Sequence, residues 1–420
     1  MADTRKADGS VARDARWWPW IALLLLGAAS VAMILRFASG RRPVPETATE
    51  SADGSRYEHY RDVARRWSVH VVRAPRRPAR FAVVSRHADG RAVGLKPVTA
   101  QLPASGSALI PVAAINGDYY QREGPYAGDP RGLQIVDGEL ISAPDGGVSL
   151  WVDATGEPHL GIVESKVRIV WPDGSATPCG LNGSRPPDRL VIYTPAVGAS
   201  TRTREGREFI LEPAGPGVGE ALAAGRTYRA RIIEVTEGGN ARIPPGRIVL
   251  SIGTQAAQTI PTVGPGTELD LSTATEPDLP GVRTAISGGP WLVQNGRRVR
   301  IDVPDSDAYI FSSMKEPHPR SAIGWNDEFL FLVAVDGRQM GIAEGMTLDE
   351  LAAYLVRLGC REAMNLDGGG SSTLWYAGAA VNHLCDGYER DVANSLIVVR
   401  PSEAIPGRTG PVSGATGIEE

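Results

Sequence analysis

The residues best equipped for chemistry lie at 365–373, NLDGGGSST. Three successive glycines remove every Cβ, so the backbone can take positive φ and approach a ligand closely. The amides of Gly368, Gly369 and Gly370 can form an anion-holding nest, and the hydroxyls of Ser371, Ser372 and Thr373 add donors. Asp367 heads the turn as a nucleophile or base, with Asn365 two residues before it. A plain glycine-rich hairpin turn is the competing reading, and the flanking aspartate and hydroxyls favour a ligand loop.

Four other segments could share a site with it. At 116–120, NGDYY follows an apolar run and offers Asn116 and Asp118 as pocket groups, although Asn-Gly is also a favoured hairpin turn. At 287–290, SGGP brings Gly288 and Gly289 in a second small-residue loop. Arg320, in HPR at 318–320, can grip an anion through two parallel hydrogen bonds, with a surface arginine as the alternative. RDVAN at 390–394 carries Arg390 and Asn394, and could equally be a solvated charge pair at a sheet edge. His318 and His383 have no partner spacing that suggests a metal site.

Short strands must position these groups. Apolar runs at 69–72, 81–85, 109–115, 189–194 and 247–252 are strand-like. The run FLFLVAV at 329–335 is continuous, as in a strand covered on both faces. Thr347 and Glu350 form a capping box for a helix that buries Leu348, Leu351, Leu355 and Leu358 and stops at Gly359. Residues 362–366 return as a strand, which makes a βαβ crossover with parallel strands. Ligands bind at the carboxyl ends of such strands. Asp336 and Arg338 follow the first, and the 365–373 loop follows the second. The expected fold is α+β, a β-rich mixed-sheet body with a C-terminal βαβ unit, preceded by one N-terminal transmembrane helix.

That helix is read from residues 17–35, 19 positions without a charge, which span roughly 28 Å. Three tryptophans mark one end as an interface anchor. A cleaved signal peptide is the alternative, given the small residues at 30–32. Residues 1–16 then form a cytoplasmic tail and 36–56 a stalk. Residues 57–400 form the exported domain, with a possible β-rich subdomain at 148–252, and 401–420 a disordered tail. The expected location is the cell membrane, single-pass, with the C-terminal domain extracytoplasmic.

Composition narrows the class. The 49 glycines and 32 prolines of the 420 residues imply many turns between short strands. A net charge of −4 gives no footprint for nucleic acid. Three cysteines, 179, 360 and 385, make no disulfide framework. Three unpaired thiols are favoured over a bridge between Cys360 and Cys385.

Taken together the segments resemble the phosphodiester glycosidase family, that of the N-acetylglucosamine-1-phosphodiester α-N-acetylglucosaminidases. The landmarks run in order: NGDYY at 116–120, YTPAVGAST at 193–201, IPPGRIVL at 243–250, SGGPWLVQNGR at 287–297 and HPRSAIGW at 318–325. They continue with VAVDGR at 333–338, GMTLDELAAYLVRLGC at 345–360, NLDGGGSST at 365–373 and RDVANSL at 390–396. The resemblance implies hydrolysis of a sugar-1-phosphodiester in a glycoconjugate or cell-envelope polysaccharide. It implies pocket roles for Asn116, Asp118, Arg320, Asp336, Arg338, the 365–373 loop, Arg390 and Asn394.

Asp367 is the first candidate for the carboxylate beside the anomeric carbon, followed by Asp118 and Asp336. No metal site or cofactor is expected, although several aspartates could recruit a divalent ion. The rival is a non-catalytic glycan-binding or exopolysaccharide-assembly module. The aromatic content of 6% argues modestly against it.

Overall fold

The computed structural model describes residues 43–76, 81–213, 221–302 and 313–402. The apolar run at 17–35 lies outside them, as do 1–16 and nearly all of the 401–420 tail. Among the described residues no helix is long and apolar enough to cross a membrane.

The body is β-rich. An eight-stranded antiparallel sheet runs in the order Thr47–Glu50, Arg56–Asp62, Trp67–Pro75, Phe329–Val335, Arg320–Trp325, Glu362–Asn365, Trp291–Gln294, Arg297–Arg298. A five-stranded sheet packs against one face, with Leu109–Asn116 and Asn394–Pro401 near its centre. The helix Leu348–Leu358 covers the other face. Side chains alternate faces along a strand, so one strand feeds both cores. Phe331, Val333 and Val335 pack with the helix, whereas Leu330, Leu332 and Ala334 pack with the second sheet. This two-sided burial accounts for the unbroken apolar run.

The helix has the anticipated capping box at Thr347 and Glu350, and Gly359 closes it at φ 100°. Leu348, Leu351, Leu355 and Leu358 are each buried, worth about 1.5–3 kcal/mol apiece. The strands it links, Phe329–Val335 and Glu362–Asn365, do run parallel. Arg320–Trp325 lies between them and pairs antiparallel with both, so the crossover spans one intervening strand.

A second five-stranded sheet and a closed seven-stranded barrel complete the body. The barrel runs from Glu164–Val170 to Glu268–Glu276, later at both ends than the 148–252 boundaries read from the sequence. Val148–Val152 and Pro158–Ile162 belong instead to the five-stranded sheet. The sheet pairings are antiparallel except for Ala176–Leu181 with Leu190–Tyr193, so "mixed" overstated the parallel share.

One further expectation is corrected. The presumed stalk contains the strand Thr47–Glu50, paired with Arg56–Asp62 through a turn tied by Gly54 N–H to Ser51 O and Ser55 N–H to Asp53 Oδ1. Its threonines suit an edge strand. The cysteines, by contrast, are as the sequence favours: all three are free thiols. Cys360 is buried beside the helix, while Cys385 is half-buried near Arg338, so no bridge forms.

Candidate active site

Strand register brings the chemistry to one edge of the sandwich. Ala322 pairs with Asn365 and Arg320 with Val335, so three chain segments turn at the same end of the large sheet. In the second sheet Asn116 pairs with Ser395, and Ile115 with Leu374. Asn116 locks the two ends together. Its Nδ2 donates to Asp367 O (2.6 Å), and its Oδ1 accepts from Ser321 Oγ (2.7 Å) and Thr373 N–H (3.2 Å). The backbone adds Asp367 N–H to Gly117 O (2.9 Å) and Gly369 N–H to Pro319 O (2.9 Å).

A cavity of about 610 Å³ opens over this junction. Of the residues singled out in the sequence, Asp367, Gly368, Gly369, Gly370, Ser371, Arg320, Arg338 and Arg390 line it. Asn116, Asp118, Asn365, Ser372, Thr373 and Asn394 are buried and outside its lining. They form a supporting layer. Asn394 Oδ1 accepts from Asp118 N–H (2.8 Å), and Asn365 Nδ2 donates to Tyr119 Oη (2.9 Å) and Gly289 O (3.0 Å). Gly288 and Gly289 also lie behind the wall, where Gly289 N–H donates to Asn365 O (2.7 Å).

Asp336 is the clearest departure. It is buried and outside the cavity lining, receiving hydrogen bonds from Ser68 Oγ (2.6 Å), His70 Nε2 (2.8 Å) and His383 N–H (2.8 Å). Burial alone would raise its carboxyl. The hydrogen bond and charge of His70, with the bonds from Ser68 and His383, outweigh that and hold it below the usual range. A carboxylate so fully engaged is structural.

Asp118 is held by the Tyr119 N–H (2.8 Å) and Gly132 N–H (3.0 Å), and closes the loop between them. Burial pushes it up to about 7 against those two bonds. Asp367 faces the cavity with its Oδ1 accepting from Gly368 N–H (2.9 Å). Burial pushes its carboxyl up to about 6, opposed by Ser371, the Gly368 amide, Arg390 and Arg122.

The glycine turn differs from the expected open nest. The Gly368 and Gly369 amides are already engaged, by Asp367 Oδ1 and Pro319 O. The glycines instead let cations close in. Gly369 has φ +62°, and a Cβ there would lie 2.9 Å from Arg338 Nη2. A Cβ on Gly370 would collide with the Arg390 guanidinium and Asp386 Oδ2, which pair at 2.6 Å. Gly370→Ala is therefore expected to displace Arg390. Kinetics should show kcat/KM lower by about 10–100-fold, with a melting temperature measured alongside. Wild-type kinetics would detach Arg390 from function.

Several lining residues escaped the sequence reading. Tyr119 and Tyr120 were visible in NGDYY yet were given no role, and both rings border the cavity. Arg122, Asp129, Arg131 and His318 join them. Burial pushes Asp129 up to about 7. Burial, with Arg320 and Arg338 nearby, holds the His318 imidazole below its usual value. Arg320 is oriented by Met346 O (2.8 Å), Ser313 O (2.6 Å) and Glu316 O (2.8 Å). Among the described residues, five arginines and two aspartates line the cavity, so its field favours an anionic ligand. Among the described residues, no group of three or more His, Cys, Asp or Glu is placed to hold a metal ion.

A β-sandwich with a cation-lined cavity at one edge, fronted by an aspartate on a glycine turn, is the architecture of the site. Residues 226–399 match the phosphodiester glycosidase family, so the resemblance carried by the motifs is shown over that stretch. Tyr119, Tyr120 and the 129–131 segment of the cavity wall lie outside it. The chain is 30% identical over 139 residues to YomE, an SPbeta prophage-derived uncharacterized protein of Bacillus subtilis strain 168. That alignment covers 33% of this chain and 21% of the relative. Among solved structures, a hypothetical protein from Synechocystis has a TM-score of 0.65 at 20% identity, over 82% of this chain and 62% of that one. A protein of Burkholderia pseudomallei K96243 has a TM-score of 0.59 at 22% identity, over 79% and 74%. These two share the fold. The chain thus spans about a fifth of the curated relative and under two thirds of the first structure.

Proposed function

We propose that the protein hydrolyses the bond between a sugar's anomeric carbon and a phosphodiester, in a glycoconjugate or envelope polysaccharide outside the cytoplasm. The observation that carries this reading is the Asp367 carboxyl in the wall of a cavity lined by five guanidinium groups. Support for an exported location comes from the apolar stretch at 17–35, as an anchor or a cleaved leader. In the reaction the C1–O bond breaks and the phosphate keeps the electron pair, held by Arg320 and Arg338. Arg390, paired with Asp386 at 2.6 Å, adds a third guanidinium. A water oxygen bonds to C1, either directly, with Asp367 accepting its proton, or after Asp367 itself has formed a glycosyl ester. The products are a free sugar and a phosphate monoester.

Because the leaving group is a stable anion, proton donation to it matters less than in ordinary glycosides. The Asp129 carboxyl, although its residue borders the cavity, lies against Gly183, outside this cavity's lining, so the donation is left to solvent. Activity is expected to rise with pH through about 6 as Asp367 ionises. The test is release of free sugar from a panel of sugar-1-phosphodiesters across pH, with and without a chelator. Saturable binding with no release from any of them would favour the glycan-binding module. Loss of rate on chelation would assign the chemistry to a recruited ion.

A further inference from the structure

The wall segment at 129–131 has a cavity on each side. Asp129, Pro130 and Arg131 line the active cavity and also a second one of about 490 Å³, whose remaining lining comes from the barrel and the adjoining sheet. Its floor is the parallel pair Ala176–Leu181 and Leu190–Tyr193, joined by a loop that Asn182 pins from beneath. Asn182 Nδ2 donates to Ile141 O (2.9 Å), and its Oδ1 accepts from Thr194 N–H (2.9 Å). The compartment is thus a built part of the fold. Its size lies within the range of small-ligand sites. Arg131 and Arg189, the latter 3.7 Å from Asp188, bring guanidinium groups, Asp129 brings one carboxyl, and Ser142, Ser165 and Ser184 bring hydroxyls. That combination suits an anion rich in hydroxyls.

We infer that this second cavity binds the part of the substrate beyond the scissile phosphate, and that this part is itself a sugar phosphate. The inference rests on the phosphodiester glycosidase reading. It makes the preferred substrate a chain of phosphate-linked sugars, cut with one unit on each side of the 129–131 wall.

Two probes test it on the full chain: a methyl ester of a sugar-1-phosphate, and the same sugar-1-phosphate esterified to a second sugar phosphate. Arg189→Ala removes a cation, and Ser165→Trp fills the space from an exposed position. Wild type should bind the two-unit probe at least 10-fold more tightly by titration calorimetry. Each variant should lose that advantage while binding the methyl ester within 2-fold of wild type. Equal affinity of wild type for both probes, or variants that keep the advantage, would overturn the second site. Turnover is read separately. Preferred binding of the two-unit probe without release of sugar would leave the second site standing and remove the hydrolase reading.

Discussion

Asp367→Asn is expected to lower kcat by at least about 10³-fold, equivalent to about 4 kcal/mol of transition-state stabilisation. The substitution keeps the shape and the oxygen that accepts the Gly368 amide (2.9 Å). It removes the charge that a developing cation at C1 needs, and the basicity that an attacking water needs. Stability should hold or rise. A carboxyl whose folded pKa is raised binds its proton more tightly in the folded state. Its contribution to stability therefore falls as pH rises from about 4 towards 6, and the neutral amide carries no such loss. Thermal unfolding at pH 5 and pH 8, beside single-turnover kinetics, checks both halves. Wild-type turnover would remove Asp367 from the mechanism.

Asn116→Ala should do the reverse and act first on stability. Its side chain is buried and serves Asp367 O, Ser321 Oγ and the Thr373 amide. Truncation leaves three buried polar groups unmatched at about 1–3 kcal/mol each, so a loss of roughly 3 kcal/mol or more is expected. Denaturant unfolding would show it as a lower midpoint with an unchanged slope. Activity should fall as well, because Asp367 loses a tether that fixes its backbone. A stable variant with normal kinetics would mean that the two sheets are joined by other contacts.

The contrast between these residues shows what was legible. The turn at 365–373 could be read because a glycine run beside an aspartate has few structural uses, and the Leu348–Leu358 helix because its cap, stripe and stop agree. Depth behind the turn could not. Asn116, Asp118, Asn365 and Asn394 are polar groups next to strand ends, and a polar group looks the same in sequence whether it faces a ligand or braces the loop that does. Asp336 shows the missing information most plainly. It continues the face of Leu332 and Ala334, which looks into the sandwich, and its partner there is His70 on a strand 266 residues away. Side-chain alternation gives the face, but only the pairing of the strands supplies the partner. Asp129 and Arg131 lay in a loop with no periodic pattern, so nothing but their closeness to NGDYY hinted at a role.

Among the described residues, the strand latest in sequence, Asn394–Pro401, sits inside its sheet, between Leu109–Asn116 and Ala82–His87. A ribosome must synthesise about 280 residues beyond Asn116 before those earlier strands gain their middle neighbour. Until then their edges stay open to mispairing, and closure over such sequence separations is slow. Deleting residues 394–401 should therefore prevent folding altogether, because it removes a central strand rather than an edge.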